Sequence, residues 1–204
     1  MKNKKQLLGI VLCGGQSSRM GTDKALIKTH NQTWLDKSIS LLLTLNIEVV
    51  LSVNSRQYPF YENTFSSIII INDDKDIDVK GPLLGLLSVH KAYPDKDLFV
   101  LACDLPLMHE KVMEQLQNNY NNLPGKEAYV FNKEDEYEPL CAIYTSAGLA
   151  KVKALLERSL LKKFSMRYVL ETIDTAAYPL PSAWKQYFIN VNTQEDLHNL
   201  PFKR

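Results

Sequence analysis

Leu12-Cys13-Gly14-Gly15-Gln16-Ser17-Ser18-Arg19-Met20-Gly21-Thr22-Asp23-Lys24-Ala25 is the stretch on which the reading of this chain turns. Just before it, Leu7 to Val11 is an apolar run ending in β-branched Ile10 and Val11, the pattern of a short strand buried on both faces. The run stops at Gly14 and Gly15, which free the backbone to turn sharply and to approach another group closely. Small polar residues, Arg19, Gly21 and Lys24 follow. A strand running into such a loop has the make-up of a phosphate cradle, in which backbone N–H groups wrap the oxygens and fixed cations balance the charge. It is not a P-loop, because Gly15 and Gly21 enclose five residues and Thr22-Asp23 intervene before Lys24. The dinucleotide fingerprint G-x-G-x-x-G is absent as well.

The rest of the composition bounds the answer. A chain of 204 residues, 45% hydrophobic and 23% charged, is ordinary globular material with enough length for a sizeable core. A net charge of +1 gives no reason to expect nucleic acid or an anionic membrane as partner. The basic start, Met1-Lys2-Asn3-Lys4-Lys5, precedes a short apolar run with no signal-peptide cleavage pattern, and no run of about 20 apolar residues spans a membrane. Cys13, Cys103 and Cys141 are widely spaced in apolar segments, which points to reduced core cysteines, a cytoplasmic location and no Cys-based metal site.

Apolar periodicity sets out the elements. Helical spacing covers Trp34 to Leu45, and strands are expected over Glu48–Val53, Ser67–Ile71 and Asp97–Cys103. Gly81-Pro82-Leu83-Leu84-Gly85 opens a further helix with Pro in its first turn, and Glu110 to Asn118 reads as helical. In the second half, Ala128–Asn132 and Leu140–Tyr144 read as antiparallel strands around a charged turn at 133–136. Helices are expected over Ala147–Glu157 and Leu161–Leu170, then a strand over Phe188–Val191 and a terminal helix capped by Thr193 with Asp196 three residues on. The order predicts an α/β protein: a Rossmann-like three-layer α/β/α arrangement on a mainly parallel mixed sheet. It is read as one domain, residues 1–204, in two halves at about 1–125 and about 126–204, which the resemblance described below implies bind nucleotide and acceptor respectively.

In such sheets ligands sit beyond the carboxyl ends of the strands. The Gly14–Lys24 loop, Asn54, Asp74 and Asp104 all follow strand ends and so are expected to converge there. Asn54 serves either as a turn residue or as a polar group facing ligand. Asp104 ends a buried strand and Pro106 restrains the turn after it; a lone carboxylate suits Mg²⁺, which keeps several waters and takes other oxygens from substrate phosphates. The helix opening at Gly81 offers free N–H groups to an anion. Four histidines show no spacing that suggests ligation or a general base.

The loop resembles the signature L-x-G-G-x-S-x-R-M-G-x-D-K-A of nucleotidyltransferases, matched at every fixed position from Leu12 to Ala25. Its Gly-Gly form is most similar to the molybdenum cofactor guanylyltransferases, which join GMP from GTP to molybdopterin. The resemblance extends to Gly81–Gly85 (G-P-L-x-G), Cys103–Met108 (C-D-x-P) and Asn190–Leu197 (N-x-N-T-P-E-D-L, with Gln194 for the usual Pro). It implies that Arg19, Lys24 and Asp104 are catalytic, with Asp104 on Mg²⁺. Leu12, Cys13, Gly14, Gly15, Lys24, Asn54, Asp74, Gly81 and Asp104 then bind nucleotide. Asp74 aligns with the family's acidic residue near the base, with Asp73 as the neighbouring alternative. Asn190 and Asn192, facing the same way along a strand, hold the acceptor or complete the metal shell. Tyr137-Glu138-Pro139-Leu140 falls on the acceptor side. GTP and molybdopterin are the implied substrates, with transient contact to cofactor-synthesis proteins or apo-molybdoenzymes. A cytidylyltransferase of the same cofactor, a sugar-phosphate nucleotidyltransferase and a non-catalytic nucleotide-binding regulator are the alternative readings.

Overall fold

The computed structural model describes residues 6–14, 23–29, 31–198 and 200. Strand β1 (Leu7–Leu12) runs where the apolar stretch predicts it. Because side chains alternate along a strand, Leu8, Ile10 and Leu12 join one core cluster and Val11 and Cys13 the other. A small hairpin of β2 (Lys28–Thr29) and β3 (Gln32–Thr33) leads into α1 (Trp34–Leu43), whose start is fixed by a reciprocal Thr33–Asp36 capping box. Then follow β4 (Glu48–Val53), α2 (Tyr58–Thr64), β5 (Ile69–Asn72), α3 (Pro82–Ala92), β6 (Asp97–Ala102) and α4 (Glu110–Asn122). The second half holds β7 (Ala128–Lys133), β8 (Glu136–Tyr144), α5 (Ser146–Glu157), α6 (Met166–Thr172), β9 (Thr175–Pro179), a 3₁₀ segment over Ser182–Phe188 and α7 (Gln194–His198).

Seven strands form one sheet in the order β5-β4-β1-β6-β8-β7-β9. β5, β4, β1 and β6 are mutually parallel, β8 is antiparallel to both β6 and β7, and β9 is parallel to β7. Within this sheet β8 alone is therefore reversed. One face is covered by α1, α2 and α4 through Leu35, Tyr61 and Val112, the other by α3, α5 and α6 through Leu83, Leu149 and Val169. The result is the three-layer α/β/α arrangement with a mainly parallel mixed sheet. β6, at the centre, is buried at all six positions, as a strand covered on both faces must be. The β7–β8 hairpin closes through Glu134 and Asp135, both with positive φ (50° and 67°), the turn that matches strand twist.

Two close approaches fix the helices to the sheet. A Cβ on Gly148 of α5 would stand 2.4 Å from the carbonyl oxygen of Glu127. That oxygen already accepts the Thr145 N–H at 2.9 Å and the Thr145 hydroxyl at 3.0 Å. A Cβ on Gly85 of α3 would meet the Ser52 hydroxyl at 2.4 Å, so α3 lies unusually near the end of β4.

Two expected elements are corrected. The helix expected from Leu161 begins only at Met166, because Ser165 caps it by accepting the Tyr168 N–H and buried Leu161 belongs to the preceding irregular stretch. The strand expected over Phe188–Val191 is not formed: Phe188 closes the 3₁₀ segment, and the Val191 N–H is taken by the carbonyl of Asp104 at 3.2 Å rather than by a sheet partner. Among the described residues no helix is long and apolar enough to cross a membrane. Cys13, Cys103 and Cys141 are free thiols, all buried.

Candidate active site

β1, β4, β5 and β6 all end on the same side of the sheet, and each delivers polar residues there. From the loop after β1 comes Lys24, which opens a short 3₁₀ turn over Lys24–Leu26 capped by Asp23. From the end of β6 comes Asp104, and from the segment before α7 comes Asn192. Lys24 Nζ donates to Asn192 Oδ1 at 2.8 Å and stands 4.0 Å from Asp104 Oδ2. These residues are far apart in sequence, and the carboxyl ends of the strands are what bring them together.

The electrostatics of this trio are unbalanced. The Lys24 and Asp104 side chains are only 16% and 19% exposed, so water does little to screen them. Burial pushes the Asp104 carboxyl above its ordinary value, against the opposing pull of Lys24. Asp104 Oδ1 is buried and makes no hydrogen bond among the described residues. A buried carboxylate oxygen without a donor suits a cation. Among the described residues there is no group of three or more His, Cys, Asp or Glu side chains fit to hold a metal. The donor set therefore fits Mg²⁺ bound through one carboxylate plus phosphates and water rather than a closed protein cage.

Beside the trio is a cavity of about 130 Å³ lined by Leu12, Gly14, Ser52, Asn54, Asp73, Gly81, Pro82 and Gly85. Gly81 has a φ of +70°, a left-handed conformation that favours glycine, and sits at the N-cap of α3. The α3 N-terminus thus faces the cavity with its partial positive charge. Asn54 both lines the cavity and holds its own turn, its Oδ1 accepting the N–H groups of Arg56 and Gln57 at 3.0 Å each. Asp73 is held in the wall by its N–H bond to the Val53 carbonyl at 2.9 Å, and burial raises its carboxyl to about 6.

The other residues expected from sequence are placed as follows, where the structure describes them. Asp74 is turned away to Lys91, at 2.6 Å, whose hydrogen bond holds its carboxyl below the ordinary range; of the two neighbouring aspartates it is Asp73 that lines the cavity. Asn190 is exposed, and the strand expected to align it with Asn192 is not formed. Gly15 and Arg19 lie outside the described residues. Cys13 is buried, its N–H donating to the Ser52 carbonyl at 2.9 Å, and the neighbouring Cys103 thiol together with burial pushes its own thiol up. Glu138, on the part of β8 that runs past the end of β6, is half-buried and its carboxyl is likewise raised by burial. Arg167 is engaged by Glu136 and Glu171, and the Lys163 ammonium lies over the Tyr168 ring at 5.8 Å.

Sequence reasoning missed Gln57 and Tyr61, which bond to Asp23 beside Lys24. They belong to a short helix with Pro59 near its start, and no motif marks it. A larger hollow of about 570 Å³ opens at the opposite end of the sheet, around Gln6, Asn46, Lys96 and Gln117. Volume alone does not locate the site; the convergence of charge at the carboxyl ends does.

Comparison with known proteins agrees with this fold. The family model of the MobA-like NTP transferase domain matches residues 9–173. A probable molybdenum cofactor guanylyltransferase from Flavobacterium johnsoniae is 24% identical over 194 residues, covering 95% of this chain and 96% of the relative. A protein of the same description from Halalkalibacterium halodurans is 24% identical over 201 residues, covering 96% and 98%. Among solved structures, the molybdopterin-guanine dinucleotide biosynthesis protein A of Archaeoglobus fulgidus superposes with a TM-score of 0.74 at 20% identity, covering 95% of this chain and 96% of that one.

Proposed function

The chain belongs to the MobA-like NTP transferase domain family, a family of nucleotidyltransferases, and from that premise we propose that it transfers GMP from GTP to the terminal phosphate of molybdopterin, releasing pyrophosphate. The observation that carries the reading is the meeting of Lys24, Asp104 and Asn192 beside the cavity of Gly14, Asp73 and Gly81. The names of the curated relatives support the choice of substrates.

An oxygen of the acceptor phosphate attacks the α-phosphorus of GTP in line, the bond from that phosphorus to the bridging oxygen breaks, and pyrophosphate leaves with the electron pair. The acceptor is already ionised, so no general base is needed. Catalysis is positioning plus neutralisation of charge. Lys24 supplies a fixed cation to the phosphates, and Arg19 supplies a second from the loop. Gly14 and Gly15 offer N–H donors to the phosphate oxygens. Asp73 in the cavity wall accepts from the N1–H and exocyclic amine of guanine, a pairing that adenine cannot offer. Asn192 holds Lys24 in place, and Asn192, Asn190 and Glu138 serve the acceptor. Mg²⁺, held by Asp104 when bound, supplies charge neutralisation on the phosphate oxygens. The reaction belongs in the cytoplasm, where nucleotide and reduced thiols are found together.

Pyrophosphate release measured with GTP, CTP, ATP or UTP, each with and without molybdopterin, tests the reading. Release that requires both GTP and molybdopterin supports it. Release with CTP moves the function to a sister transferase, release with a sugar phosphate as acceptor to a sugar-activating enzyme, and nucleotide binding without release to a regulator.

A further inference from the structure

Cys13 and Asp23, on either side of the glycine loop, are tied by one side chain. Gln57 Nε2 has two hydrogens and uses both: one goes to the Cys13 carbonyl at 3.1 Å, the other to Asp23 Oδ2 at 2.6 Å. Its Oε1 accepts the Asn54 N–H at 3.4 Å, which fixes the amide so that the nitrogen faces the loop. Tyr61 donates to the same Asp23 Oδ2 at 3.0 Å. The remaining oxygen, Asp23 Oδ1, accepts the Ala25 N–H at 3.1 Å and so starts the turn that carries Lys24. Tyr61 is fully buried beside Phe65, and burial drives its hydroxyl far above the ordinary range, so it stays a donor. Hydrogen bonds to a charged acceptor are about twice as strong as neutral ones, and here two converge on one carboxylate oxygen.

We infer that Gln57 and Tyr61 are positioning residues: acting through Asp23, they hold the loop ends together and aim Lys24 at the site where it meets Asp104 and Asn192. The inference rests on the reading of Lys24 as the triphosphate cation. Lysine is a point charge on a flexible stem, so its direction must come from the backbone that bears it. Ordinary packing contacts secure α2 through the ring of Tyr61. The polar bonds of Gln57 and of the Tyr61 hydroxyl go instead to loop ends and to the residue next to Lys24.

Tyr61→Phe keeps the ring and removes only the hydroxyl; Gln57→Ala removes the bridge. Each is expected to lower kcat for pyrophosphate release about 10-fold to 10²-fold, the scale of a small misplacement of a reacting group, with KM for the acceptor unchanged. In a Lys24→Ala background the same substitutions should add nothing further, because their effect passes through Lys24. Hydrogen exchange of the free protein should accelerate in peptides covering 13–25 and stay unchanged in α5. Additive losses with Lys24→Ala, or exchange that rises across the whole chain or nowhere, would overturn the inference. If the wild type releases no pyrophosphate with any nucleotide, the transfer reading falls by itself. The clamp is then decided by exchange alone, local acceleration upholding it and uniform or absent change defeating it.

Discussion

Asp104→Asn is expected to make the protein more stable and inactive at once. The ionised carboxylate is buried, one of its oxygens lacks a donor, and Lys24 stands at 4.0 Å, the outer limit of an ion pair. Burial holds its folded pKa above that of the unfolded chain. The folded state therefore takes up this proton more readily, and at neutral pH the charge opposes folding. Removing that charge isosterically should gain about 1 kcal/mol, the usual yield of relieving a strained functional group. For a chain of this size 1 kcal/mol moves the midpoint by about 2–4 °C. The assay is a thermal unfolding series at pH 7.5 and at pH 4, with and without Mg²⁺-GTP. The variant should melt higher than wild type at pH 7.5, and the gap should narrow as the pH falls and the wild type takes up its proton at Asp104. Mg²⁺-GTP at 100 times its dissociation constant should stabilise the wild type by about 2.7 kcal/mol. It should leave the variant nearly unmoved. A variant that melts lower than wild type at pH 7.5, or that keeps the full Mg²⁺-GTP shift, would refute the reasoning.

Further outcomes follow from the same structure. Lys24→Ala should reduce turnover by at least ~10²-fold, and Asn192→Ala, which leaves the ammonium present but unheld, by less; equal losses in steady-state assays would contradict the division of roles. Affinity for GTP, measured by titration calorimetry, should be level above pH 7 and fall as the pH drops through about 6, where Asp73 takes up its proton. Asp73→Asn should remove this pH dependence and narrow the preference for GTP over ATP, whereas Asp74→Asn should do neither. Gly148→Ala should destabilise by roughly 2–4 kcal/mol in urea unfolding. The new methyl must displace a carbonyl held by two hydrogen bonds, and the better helix propensity returns only about 1 kcal/mol.

Much of the first half was legible because β1, β4 and β6 are largely buried and so appear as apolar runs. Glu48–Val53 was placed to the residue, and β1 and β6 to within one. The loop announced itself because its glycines, Arg19 and Lys24 stand at the spacing of a known signature. What stayed hidden had no periodic signature. α2 is short and carries Pro59, which reads as a breaker although Pro is welcome in a first turn. β9, Thr-Ala-Ala-Tyr-Pro, lacks the alternation of a half-buried strand. Asp73 and Asp74 are neighbours leaving an extended strand, where successive side chains point opposite ways. Sequence placed both at the right strand end; only the bonds to Val53, Ser88 and Lys91 decide which carboxylate reaches the cavity.

The reversed strand has a mechanical consequence. β8 is hydrogen-bonded to β6 from Leu98–Tyr144 to Leu101–Cys141 and to β7 on its other side, so the first and second halves of the sheet are welded along a continuous ladder. A hinge between them would have to unzip that ladder at the most deeply buried strand. Any opening and closing of the site would then fall to the segments beyond the strand ends. Gating in such an enzyme should come from loop movements and not from a swing of lobes.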